Sequence, residues 1–106
     1  MLLQEAQRLI DHLQQCFQAM PKKGTGDELA FQEALASTLS LLARQTDCTN
    51  TVLIGLEKFY QRSSFLIGLT SLDLDESTYQ AFRQYDYFHT ATVKPELALY
   101  GPTVLF

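Results

Sequence analysis

Apolar residues return every three or four positions through four stretches of this chain, and short runs of Pro, Gly or small polar residues separate the stretches. That period places the apolar side chains on one face of an α-helix and does not fit the two-residue period of a half-buried strand. In the first stretch, about residues 2–20, Leu2, Ala6, Leu9, Ile10, Leu13, Cys16, Phe17 and Met20 share a face, and Pro21, Gly24 and Gly26 follow as a loop. The second, about residues 26–45, opens on Thr25 with Glu28 three residues on, the pattern of a capping box, with Asp27 as the alternative cap. Apolar residues cover much of its circumference near its end, which predicts a central helix. The third, about residues 50–69, presents Val52, Leu53, Leu56, Phe59, Tyr60, Ser63, Leu66 and Ile67. Its Gly55 and Gly68 weaken the helix but admit a close contact with a neighbour. Residues 64–69 also suit a strand, although the long period favours helix. The fourth, about residues 73–88, starts at Asp73 with Glu76 three residues on and carries an aromatic face.

After residue 88 the period is lost. Residues 90–93 are β-prone, and Lys94, standing before Pro95, is pushed towards extended backbone. Gly101 and Pro102 interrupt the chain again, yet Leu97, Leu99, Tyr100, Val104, Leu105 and Phe106 are apolar. An end of this kind docks on its own domain or meets a partner. Short loops between helices favour antiparallel neighbours. The reading is therefore all-α: a single domain over residues 1–106, folded as an antiparallel up-down four-helix bundle with an irregular C-terminal tail packed on or near it.

Composition narrows the function classes. A net charge of -4 with only 8 Lys plus Arg speaks against a nucleic-acid partner, because phosphate binding needs clustered positive charge. Lys22 and Lys23 form the one basic pair and read as a solvated turn. Cys16 falls on an apolar face and Cys48 in a polar loop; two cysteines do not make a disulfide scaffold, and reduced thiols suit a cytosolic protein. Glu5 and Asp11 interrupt the place where a secretion signal would be uncharged, and no run approaches the ~18 apolar residues of a membrane span. A cytoplasmic protein without an integral span is expected, compatible with peripheral membrane contact.

No residue set announces a reaction. His12 and Cys16 stand four apart on the first helix, but two ligands are not a metal site, and His89 is remote in sequence. Asp73, Asp75 and Glu76 read as helix-capping acids. Gly24, Thr25 and Gly26 are too short a loop to cradle a nucleotide, and nothing marks a base for Cys48, the one thiol off a core face. No catalytic residue, cofactor or metal is expected. Tyr79, Phe82, Tyr85, Tyr87 and Phe88 put five aromatic rings into ten positions, more than one buried helical stripe accommodates. Surplus aromatic surface favours protein contact. The candidate partner-binding set is Tyr79, Phe82, Tyr85, Tyr87, Phe88, Lys94, Tyr100, Leu105 and Phe106.

The second half of the chain resembles the pediocin-like bacteriocin immunity proteins of the enterocin A immunity group. The likeness covers about half the chain. It lies in TVLIGLEKFYQRSSFLIGL, similar to that family's penultimate helix, in LDLDESTYQAFRQY, similar to its acidic-capped last helix, and in the aromatic-glycine pair Tyr100-Gly101. The resemblance implies an antiparallel four-helix bundle that acts from inside the cell, without catalysis, to protect a bacteriocin producer. It implies recognition of a membrane sugar-transport receptor of the mannose phosphotransferase type with bacteriocin bound, with specificity in the C-terminal half and Lys94 near the membrane-side partner. A second class stands beside it: a small helical adaptor or chaperone-like module acting through a homodimer. A small enzyme or metal protein using His12 and Cys16 is the third.

Overall fold

The computed structural model describes residues 2–70 and 72–98. The helices are α1 (Leu2–Ala19), α2 (Gly26–Ala43), α3 (Asn50–Leu69) and α4 (Glu76–Phe88); a π turn (His89–Val93) then leads into a short α5 (Lys94–Ala98). No strand occurs among the described residues, residues 64–69 included. α1 packs on α2 and α4, α2 also on α3, and α3 also on the π turn and α5. This is the four-helix bundle the spacing predicts. Among the described residues no helix is long and apolar enough to cross a membrane.

Each helix buries one stripe. On α1 it is Leu3, Ala6, Leu9, Ile10, Leu13 and Phe17, so Leu3 rather than Leu2 carries the first contact. On α2 the buried positions, Glu28, Phe31, Leu35, Thr38 and Leu42, form a single line. Leu29 is exposed, so α2 is not the encircled central helix its composition suggests. Phe17 and Phe31 meet edge to face, centroids 4.9 Å apart, and join α1 to α2. Gln7 adds a polar tie, donating from Nε2 to the Leu42 carbonyl at 3.1 Å. Gly55 of α3 is where α2 comes closest: a Cβ there would stand 2.4 Å from Leu41 Cδ2, whereas nothing lies within 4 Å of one at Gly68.

The α1–α2 connection is built around one carboxylate. Thr25 caps α2, its hydroxyl accepting from the Glu28 amide at 3.2 Å. Glu28 accepts in return from the amides of Lys23, Gly24 and Thr25 at 3.0, 2.7 and 3.1 Å. Gly24, at φ +78°, supplies the left-handed turn that lets these amides converge. The Lys23 amide above all holds the Glu28 carboxyl below its usual pKa of 4.5, against the effect of burial. Lys22 is more than a solvated turn residue: its ammonium donates to the Phe17 and Met20 carbonyls and lies 4.6 Å from the Phe17 ring centroid, closing the end of α1. At α4, Asp75 rather than Asp73 is the cap, accepting from the Thr78 amide at 2.9 Å; Asp73 instead pairs with Lys23 at 3.3 Å.

Residues 89–98 depart most from expectation. They are helical, and Lys94 has φ -59° and ψ -46° although it precedes a proline. Tyr85, His89, Val93 and Leu97 are all buried at a spacing of four. On a regular α-helix that spacing drifts about 40° per step, and after three steps it would have left the α3 face. A π turn holds more residues per turn and takes the drift back. In the same wide turn the Lys94 amide bonds the His89 carbonyl, and Pro95 follows as the second residue of α5.

Gly68→Ala should stabilise the fold by about 0.5–1 kcal/mol, since space is open and helix propensity improves. Gly55→Ala should yield less, because Leu41 must leave its rotamer at a cost of order 0.5–1.5 kcal/mol; urea unfolding measures both. The Glu28 carboxyl binds its proton less readily in the folded chain than in the unfolded one. Its contribution is therefore complete above the ordinary carboxylate range and lost as pH falls from about 4.5 through the lowered folded value. Glu28→Gln should melt several degrees lower at neutral pH and show a flatter acid limb in thermal melts across pH.

Candidate functional site

α4 has two unlike sides. Tyr79, Arg83 and Tyr87 recur every fourth residue along its outer side. Tyr87 is 77% exposed, and the Arg83 guanidinium stands 6.0 Å from the Tyr79 ring centroid. Beside this stripe, between α4 and α1, runs a groove of about 870 Å³ with Leu2, Leu9 and Phe88 as its apolar lining. Arg8 forms its α1 wall and is held in place by Glu5, which accepts from Arg8 Nε at 3.1 Å and from a terminal guanidinium nitrogen at 2.6 Å. That hydrogen bond holds the Glu5 carboxyl below its usual range. Arg83 faces it from the α4 wall, and Glu96 of α5 closes one end. The result is a mixed channel, in which a few apolar side chains lie among two arginines, two glutamates and neutral polar residues, with an adjoining strip of exposed tyrosine.

The candidate partner-binding residues divide accordingly. Tyr79, Tyr87 and Lys94 are exposed. Phe82, Tyr85 and Phe88 are buried and do not form an outer surface. The reason is geometric: they occupy the inner side of α4, where α3 meets it through rings rather than through close backbone. Phe59 and Tyr85 pack edge to face at 5.3 Å, Tyr60 and Phe82 stack at 6.4 Å, and the Tyr85 hydroxyl donates to the Leu56 carbonyl at 2.8 Å. Burial pushes the Tyr85 phenol well above its usual pKa, so it remains a donor. Phe88 contributes only to the floor of the groove. Tyr100, Leu105 and Phe106 lie outside the described residues.

Sequence reasoning passed over His89, and the fold gives it a structural place. It is buried in the π turn, its Nε2 2.5 Å from Glu57 Oε1 and its ring stacked on Tyr60 with centroids 3.7 Å apart. A carboxylate only accepts, so Nε2 carries the hydrogen; Nδ1 is buried without a partner among the described residues. Thirty-two positions separate His89 from Glu57, and no local pattern foretells such a pairing. The spacing of four from Tyr85 through Leu97 was the available signal. A histidine oriented by a carboxylate is half of a catalytic arrangement, but the ring lines neither the α1–α4 groove nor the one between α2 and α3.

Other reactive groups do not converge. His12 Nε2 stands 3.8 Å from Cys16 Sγ on exposed helix surface, and among the described residues no group of three or more His, Cys, Asp or Glu could hold a metal ion. Partial burial, and after it the Glu96 carboxylate, push the Cys48 thiol up, which disfavours the thiolate a nucleophile needs. Comparison of the chain with family models, with curated proteins and with solved structures finds no match.

Tyr85→Phe should cost about 1 kcal/mol through loss of a buried hydrogen bond, and Glu57→Leu about 1–3 kcal/mol because both ring nitrogens of His89 would then be buried without partners. Denaturant unfolding monitored by circular dichroism gives both values.

Proposed function

We propose that the protein works without catalysis of its own, by binding a protein partner through the outer side of α4 and the groove beside α1. The observation that carries this reading is the exposed Tyr79–Arg83–Tyr87 stripe along the α1–α4 groove. Tyrosine and arginine are enriched among the residues that dominate interface energetics, tyrosine as a large ring with a polar end and few rotatable bonds, arginine as a flat guanidinium with several donors. Leu2, Leu9 and Phe88 give the channel the apolar centre that such interfaces place inside a polar rim.

In its specific form the reading follows the immunity proteins that the second half of the chain resembles. The partner is then a membrane sugar-transport receptor of the mannose phosphotransferase type, engaged by a bacteriocin and met from the cytoplasmic side, and the consequence of binding is protection of the producing cell. The stripe belongs to the half of the chain where the resemblance places specificity.

Expression of the full chain in a bacteriocin-sensitive strain, challenged with a panel of pediocin-like peptides, tests this directly. Protection against at least one peptide is expected, and Tyr79→Ser with Tyr87→Ser should reduce it by about 10–100-fold in the inhibitory peptide concentration, the loss of one or two interface anchors. Exposed positions of this kind leave folding largely intact. No protection against any peptide would overturn the immunity reading.

A further inference from the structure

A second open face lies on the other side of the bundle. α2 and α3 bound a shallow groove of about 800 Å³, floored by Ala30, Ala34, Ser37 and Gly55, and no other described helix packs across it. Two stripes with alternating spacings of four and three flank it. On α2 the stripe runs Leu29, Glu33, Ala36, Ser40; on α3 it runs Lys58, Arg62, Phe65, Leu69. Leu29, Phe65 and Leu69 are 61%, 53% and 76% exposed, the largest aliphatic and phenylalanine exposures among the described residues. Glu33, Lys58 and Arg62 form no ion pair among the described residues.

We infer that this face binds a second copy of the same chain. The argument is one of register. Leu41 and Gly55 meet, and α2 and α3 run antiparallel away from that contact. Glu33 is eight residues from Leu41 and Arg62 seven from Gly55, so the two stand at about one level, to within roughly one helical turn. Leu29, twelve residues along α2, falls between the levels of Phe65 and Leu69. A two-fold axis parallel to the helices lays α2 of one copy over α3 of the other without changing level. It therefore brings Glu33 onto Arg62 and Leu29 onto the Phe65–Leu69 pair, and each contact forms twice, as an isologous interface requires. The alternative axis, perpendicular to the helices, would set α2 on α2 and α3 on α3, and at the level of Glu33 and Arg62 it would oppose like charges. Small residues on the floor let the helices of the second copy approach closely. Helices of 18 and 20 residues offer a face of roughly 30 by 20 Å, about 1,200 Å² over both copies, at the lower edge of specific interfaces. Such a dimer is reversible and leaves the α1–α4 groove open on both copies.

Sedimentation equilibrium of the full chain, from micromolar to millimolar concentration, tests the inference. A concentration-dependent monomer–dimer equilibrium is expected. Glu33→Arg and Arg62→Glu should each weaken it by about tenfold or more, and the double variant should restore it, because the swapped charges again oppose each other across the interface. Both positions are exposed, and matching circular dichroism melts would show that the fold is kept. A monomer at every concentration overturns the inference. So does a dimer that both single variants leave unchanged, or one that Tyr87→Ser abolishes.

Discussion

The helical stretch over residues 76–98 hangs on a buried seam of rings and two polar contacts between α3 and the segment from Tyr85 to Leu97. Tyr85 donates to the Leu56 carbonyl, and His89 pairs with Glu57 one residue further along α3. Phe59, Tyr60, Phe82 and Phe88 fill the space around them. Rings are long, so the two helices stand apart there, while α1 and α2 close ranks through aliphatic residues and a single phenylalanine pair. A seam of this kind fixes which side of α4 faces inward. With that side committed to α3, Tyr79, Arg83 and Tyr87 have nowhere to go but outward. The open stripe thus follows from the burial of its neighbours.

The two halves of the bundle meet solvent differently for the same reason. On the α1–α4 side the inner rings are spent on the seam, and the groove left over is lined by arginine and glutamate with tyrosine beside them. On the α2–α3 side the Leu41 side chain lies against Gly55, the floor includes alanine, serine and glycine, and the exposed apolar groups stand towards the far end as Leu29, Phe65 and Leu69. The first suits a partner read by aromatic and cationic groups. The second is self-complementary in charge and level.

What could be read from the sequence was whatever depends on near neighbours. Apolar periodicity placed all four helices, Thr25 and Glu28 announced their capping box, and of the two glycines read as close contacts Gly55 meets Leu41 while Gly68 faces open space. The aromatic excess on α4 was visible too, but which rings turn inward depends on α3. Phe82, Tyr85 and Phe88 therefore entered the candidate surface although they are core. The rule for residues preceding proline is also local, and it pointed Lys94 towards extended backbone. Burial of His89, Val93 and Leu97 against α3 overrode it. Glu57 and His89 carry no mark of each other in the sequence, because only the folded seam brings them within bonding distance.

The π turn amounts to one surplus residue absorbed into a helix, and where it is absorbed sets which neighbouring residues face inward. Were the surplus taken up one residue earlier or later, the residues in between would swing by about 100° around the axis. The place of this single irregular turn therefore decides which of residues 89–93 face α3. His89, stacked on Tyr60 and held by Glu57, is the pin that keeps it there.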